Sequence, residues 1–143
     1  MEKSTLALAS QLLKTLKERG VEKVVVCPGS RNAPLIFTLQ QHFEIFHHFD
    51  ERSAAFFALG FTMSEQKPVA IVCTSGTAVA EVLPATIEAY YQNLPFIIVS
   101  ADRPKEFRGS GAPQAIEQKN IFTTYADCFD LQSVEDFQSV KTT

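Results

Sequence analysis

PVAIVC, residues 68–73, is apolar at nearly every position, and no other stretch limits the fold of this chain so strongly. A strand with one wet face alternates apolar and polar residues. A strand with no polar face must be covered on both sides, as in a parallel sheet packed between helices. VEKVVVCPG (21–29), EIFHHF (44–49) and PFIIVS (95–100) read as companion strands, rich in β-branched and aromatic residues. Helical periods separate them. Residues 4–19 place Leu6, Leu12, Leu13 and Leu16 on one stripe with Gly20 as the stop. Residues 32–41 predict a short helix, a second runs from Glu51 to about Met63, and TSGTA opens a third reaching to about Tyr91. A helix around 115–125 and a last strand near CFDL, 128–131, complete the pattern. Strands and helices in strict alternation predict an α/β fold: a doubly wound parallel sheet with right-handed crossovers and helices on both faces.

At 143 residues the chain has the length of one domain. The pattern assigns residues 1–131 to that domain and the polar end, 132–143, to the start of a linker. Hydrophobic content of 45% with 20% charged residues is ordinary for a globular protein, and a net charge of −3 gives no basic footprint for nucleic acid. No apolar run approaches the roughly eighteen residues of a membrane span. The N-terminal stretch reads as an amphipathic helix rather than a signal peptide, which makes the cytoplasm the expected compartment. Cys27, Cys73 and Cys128 stand far apart at or beside the ends of apolar runs. They read as buried reduced thiols, and no Cys/His spacing suggests a metal site.

In doubly wound sheets ligands bind outside the carboxyl ends of the strands. The loops expected there are PGSRN, DERS, TSGTA and SADRP, the most distinctive words in the chain. Turn geometry alone accounts for Gly29 and Gly76, but it accounts poorly for Arg31, Glu51 and Arg103. None of the loops is a phosphate-binding fingerprint of the G-x-G-x-x-G or Walker type. A guanidinium fork suits a carboxylate, so the arginines point to an anionic ligand. Asp50 reads as an N-cap, and Glu51 in the first helical turn has two readings. Either the helix dipole favours it there, or its carboxylate faces something outside the chain.

The words CPGSRNAPL, FDERSAAFFALG, CTSGTAVAEVLPATIEAYY, PFIIVSADRP and GAPQAI together resemble the N-terminal, pyrimidine-binding domain of the SEPHCHC synthases (MenD) of menaquinone biosynthesis. These belong to the thiamine-diphosphate enzyme superfamily, and the resemblance covers about residues 4–131. It implies that Glu51 is catalytic: the matching carboxyl group hydrogen-bonds N1′ of the cofactor's aminopyrimidine ring. A proton shared there favours the tautomer whose exocyclic nitrogen takes the C2 proton of the thiazolium. The resemblance further implies cofactor contacts at Thr74, Ser75, Gly76 and Thr77. It implies contacts to isochorismate at Ser30, Arg31, Arg103 and Gln114. Pro113 stands where many family members have Asn, which alters the setting of Gln114.

The implied reaction decarboxylates 2-oxoglutarate on thiamine diphosphate and adds the succinyl-semialdehyde unit to isochorismate. The resemblance also implies a homo-oligomer, dimer or tetramer, with each active site across a subunit interface. Family members are several times longer and hold the diphosphate through Mg²⁺ or Mn²⁺ on a C-terminal domain. None of the six glycines here begins the G-D pair of that metal motif. The expectation is therefore an isolated pyrimidine-binding domain, inactive alone. Two alternatives stand beside it: the same domain of another thiamine-diphosphate decarboxylase or carboligase, and a non-catalytic dimerisation module.

Overall fold

The computed structural model describes residues 3–141. Its elements are α1 (Lys3–Glu18), β1 (Lys23–Val26), α2 (Ala33–Leu39), β2 (Glu44–His47), α3 (Glu51–Glu65), β3 (Val69–Cys73), α4 (Thr77–Glu81), α5 (Leu83–Tyr91), β4 (Phe96–Ser100) and a short α6 (Phe137–Lys141). The four strands form one parallel sheet in the order β2-β1-β3-β4. β3 is buried at every residue, as its unbroken apolar run predicts. Period-two alternation divides the central strands between two cores. Val25, Val69, Ile71 and Cys73 pack with Ala54, Ala58, Val79 and Ala85 of the helices on one face. Val24, Val26, Ala70 and Val72 pack with Leu16 and Leu39 on the other. The chain winds outward from β1 to β2, then returns to the opposite side for β3 and β4. The direction of winding therefore reverses between β1 and β3, the place where doubly wound sheets form a ligand crevice at the carboxyl ends of their strands.

Four local expectations are corrected. Leu16 is buried and Leu12 and Leu13 lie half-buried against the core, but Leu6 is exposed. The inward stripe of α1 runs instead through Ala9, Thr15 and Leu16. The helix after TSGTA breaks at Val82, because Pro84 has no N–H to donate back to Ala80 and so restarts the helix as α5. No helix spans 115–125. That segment holds a single 3₁₀ turn, Gln118–Asn120, followed by further i−3 bonds such as Tyr125 N–H to the Phe122 carbonyl at 2.7 Å. Local side-chain bonds compete with the helix there, as in Thr123 Oγ1 to the Asn120 carbonyl at 3.2 Å. Near CFDL no strand forms: the sheet ends at β4, and Asp130 is held instead by Arg108. Downstream, α6 lies in the segment read as linker, and its Phe137 is buried.

Among the described residues no helix is long and apolar enough to cross a membrane. Cys27 and Cys73 are buried at the ends of neighbouring strands, whereas Cys128 is exposed, against expectation. Burial pushes both buried thiols up to about 12, and the negative charge of Glu51 adds to the shift. A neutral, enclosed thiol is a poor nucleophile. Iodoacetamide at pH 8 should therefore label Cys128 alone in the folded chain. Cys27 and Cys73 should react only after denaturant is added, as counted by intact-mass spectrometry.

Candidate functional site

The strand-end loops meet at the crevice between β1 and β3. Two glycines allow them to come so close. A Cβ on Gly29 would lie 2.7 Å from Thr74 Cβ, so the PGSRN and TSGTA loops touch with no room for a side chain between them. Gly76, at φ +84°, is in a conformation that L side chains rarely adopt, and a Cβ there would lie 2.8 Å from Gln114 Cα. Gly76 thus admits the 112–118 segment against the turn. Asn32 braces the first loop from inside: it is buried, its Oδ1 accepts from Gly29 N–H at 2.7 Å and its Nδ2 donates to the Cys27 carbonyl at 2.9 Å.

Asp50 caps α3 as expected, its carboxylate accepting from Ser53 N–H at 2.7 Å with extended backbone at the cap. This fixes the direction in which α3 leaves β2 and places Glu51 at the helix start. Glu51 is half-buried and makes no ion pair or side-chain hydrogen bond with any described residue. Its charge bears on both Cys27 and Cys73, which puts the carboxylate near the carboxyl ends of β1 and β3. Ala54, Ala55 and Ala58 of the same helix are fully buried against the sheet and α5. Phe56, Phe57 and Met63 are left exposed.

In the TSGTA turn, Thr74 and Ser75 are buried and Thr77 is exposed at the start of α4. Ser75 Oγ is enclosed with no hydrogen-bond partner among the described residues. Gly76 N–H is already bonded, to Gln118 Oε1 at 2.7 Å. Ser30 and Gln114 are exposed, and Gln114 has a positive φ of 57°. Arg31 and Arg103 line one cavity of about 1020 Å³, which runs along β4 between α1 and the C-terminal segment. Arg31 has no ionic partner among the described residues. Arg103 Nη2 donates to the Pro113 carbonyl, and its Nε is enclosed without a partner. The structure therefore places both arginines in the lining of one cavity, while Glu51 and the TSGTA turn lie at the carboxyl ends of β1 and β3.

Three residues that sequence reasoning missed hold this arrangement. One is Asn32, above. Gln118 is the second, buried and bonded to two loops. The third is Arg108, whose Nη2 pairs with Asp102 at 3.0 Å, whose Nη1 pairs with Asp130 at 2.8 Å, and whose Nε donates to the Arg103 carbonyl at 3.1 Å. None carries a local signal except Asn32, whose place before a proline-containing helix start suggests a cap; its side chain turns to its own loop instead. The guanidinium lowers the pKa of both aspartates, yet their net shifts are opposite. Burial dominates at Asp102 and raises its pKa, whereas hydrogen bonding from Arg108 dominates at Asp130 and lowers it to about 2.

Residues 6–121 match the model of the thiamine pyrophosphate enzyme N-terminal TPP-binding domain, and the chain belongs to that family. Within it, the chain is 45% identical over 141 residues to a 2-succinyl-5-enolpyruvyl-6-hydroxy-3-cyclohexene-1-carboxylate synthase of Bdellovibrio bacteriovorus, covering 96% of this chain and 27% of that protein. Synthases of the same name from Geobacillus kaustophilus and Akkermansia muciniphila are 48% and 53% identical over 131 and 118 residues. These matches cover 90% and 81% of this chain but 23% and 22% of the relatives. The chain thus spans about a quarter of the length of the curated relatives it matches.

The Arg108–Asp130 pair carries a pH signature. A carboxylate with a lowered folded pKa stabilises the fold above its unfolded value, near 3.9, and loses that contribution as pH falls through about 2. Asp130→Asn should flatten the loss of unfolding free energy between about pH 4 and pH 2. Urea denaturation followed by circular dichroism across that range measures the difference.

Proposed function

We infer that this chain is the pyrimidine-binding domain of a thiamine-diphosphate-dependent SEPHCHC synthase, acting in menaquinone biosynthesis. The observation that carries the reading is Glu51: an unpaired, half-buried carboxylate capped into position at the β1–β3 crevice of a family defined by thiamine pyrophosphate binding. The crevice suits an aminopyrimidine. It offers a carboxylate with no internal partner and the enclosed Ser75 hydroxyl, also without one. Thr74, Ser75, Gly76 and Thr77 border the ring, Gly76 through its close backbone rather than its N–H, which Gln118 occupies. When bound, thiamine diphosphate would supply the nucleophilic carbon and the electron sink that decarboxylation of 2-oxoglutarate requires. Glu51 holds and shares the proton at the pyrimidine nitrogen; its fixed entry angle from Asp50 keeps that contact in line. The diphosphate and its Mg²⁺ or Mn²⁺ are assigned to the segment by which the curated relatives exceed this chain.

Arg31 and Arg103, which line one cavity, bind the two carboxylates of isochorismate, with the exposed Ser30 and Gln114 as further contacts. Arg108 and Asp102 hold the arm that carries Arg103. The working enzyme is a homodimer or tetramer in the cytoplasm.

The test is a chimaera in which this chain replaces the matching segment of the Geobacillus kaustophilus synthase. Formation of the product from 2-oxoglutarate and isochorismate supports the reading; a folded, cofactor-loaded chimaera without it overturns the reading. In that chimaera Glu51→Gln should preserve fold and assembly and lower turnover by roughly two to four orders of magnitude. C2–H exchange of the bound cofactor, followed by quenched-flow NMR, should fall in parallel. Arg31→Ala should cost about 2–4 kcal/mol in isochorismate use while leaving 2-oxoglutarate decarboxylation largely intact. Steady-state assays with and without the acceptor separate the two effects.

A further inference from the structure

Gln118 is the single buried side chain in the described run 101–120, which otherwise lies exposed or half-buried over the strand ends. Its amide group spans two loops. Oε1 accepts from Gly76 N–H at 2.7 Å, and Nε2 donates to the Ala101 carbonyl at 3.0 Å. Ala101 N–H in turn donates to the Cys73 carbonyl at 3.1 Å, so the start of the Arg103 arm is tied to the end of β3 by two routes. Four residues before Gln118, the backbone of Gln114 lies against Gly76 with no space for a Cβ. Among the described residues the amide is the side chain that bonds both the Gly76 turn and the arm that carries Arg103.

We propose that Gln118 is a positioning residue that sets the separation between the Gly76 turn and the Ala101–Arg103 arm, and so holds the cofactor side and the acceptor side of the site in register. The proposal rests on the functional reading above. Chemistry explains why an amide stands here. One end must accept from an N–H while the other donates to a C=O, and of the side chains of this length only glutamine does both without charge. A carboxylate keeps the first bond and sets an acceptor against the Ala101 carbonyl. A thioether of similar length keeps neither, and a buried unbonded N–H and C=O are costly.

Two variants separate the bonds. In the chain alone, hydrogen exchange by NMR should show the Gly76 amide at least roughly tenfold less protected in Gln118→Met, but near its original protection in Gln118→Glu. In the chimaera, Gln118→Glu should raise the KM for isochorismate roughly fivefold to tenfold with cofactor affinity nearly unchanged, because only the arm is released. Gln118→Met should weaken both. A residue that merely stabilised the fold would lower the amount of folded enzyme and leave both constants alone in the fraction that remains. Unchanged KM values in folded variants, or equal Gly76 exchange in the two, would overturn the proposal. If Gln118→Met does not fold, the Gln118→Glu split between acceptor and cofactor decides. Should the unsubstituted chimaera lack activity, the functional reading fails while the exchange pattern alone still decides whether Gln118 couples the loops.

Discussion

Everything in this molecule depends on burying β1 and β3 on both faces at once. Val24, Val25, Val26 and all five residues of β3 are shielded from water, and each strand sends alternate side chains to opposite cores. Burial of this kind contributes about 1.5–3 kcal/mol for each large aliphatic side chain. It also leaves the backbone polar groups no partner but a neighbouring strand. The two strands are consequently held side by side, and the only place where their chain can leave them is at the ends. The functional loops are outgrowths of that constraint.

At those ends the fold trades side-chain volume for proximity. Gly29 lies against the Thr74 side chain and Gly76 against the Gln114 backbone, close approaches possible because one member of each pair has no Cβ. Three polar side chains then lock what the glycines bring together: Asn32 within the first loop, Gln118 between the third and fourth, and Arg108 between the fourth and the C-terminal segment. Beside these satisfied groups stand three charged ones that are not fully engaged, Glu51, Arg31 and Arg103. A domain that only had to be stable would gain little from that contrast. It fits a surface whose remaining partners are ligands.

The sequence by itself determined the fold class and the four strands, and it marked the loops in which the candidate site was sought. Each is encoded locally: the apolar run of β3 permits no wet face, Asp50 carries its own cap, and the loop words are read directly from the chain. It misjudged what depends on distant partners. The helix expected at 115–125 gives way because Gln118 is spent on Gly76 and Ala101 and because nearby hydroxyls bond backward. The strand expected near CFDL is lost because Arg108, twenty-two residues earlier, holds Asp130 away from the sheet edge. The grouping of Arg31 with Arg103 and the place of Glu51 beside two buried thiols were likewise decided only in three dimensions. Periodicity reports which face of an element is buried, whereas a hydrogen bond between loops forty-two residues apart leaves no trace in the local pattern at either end.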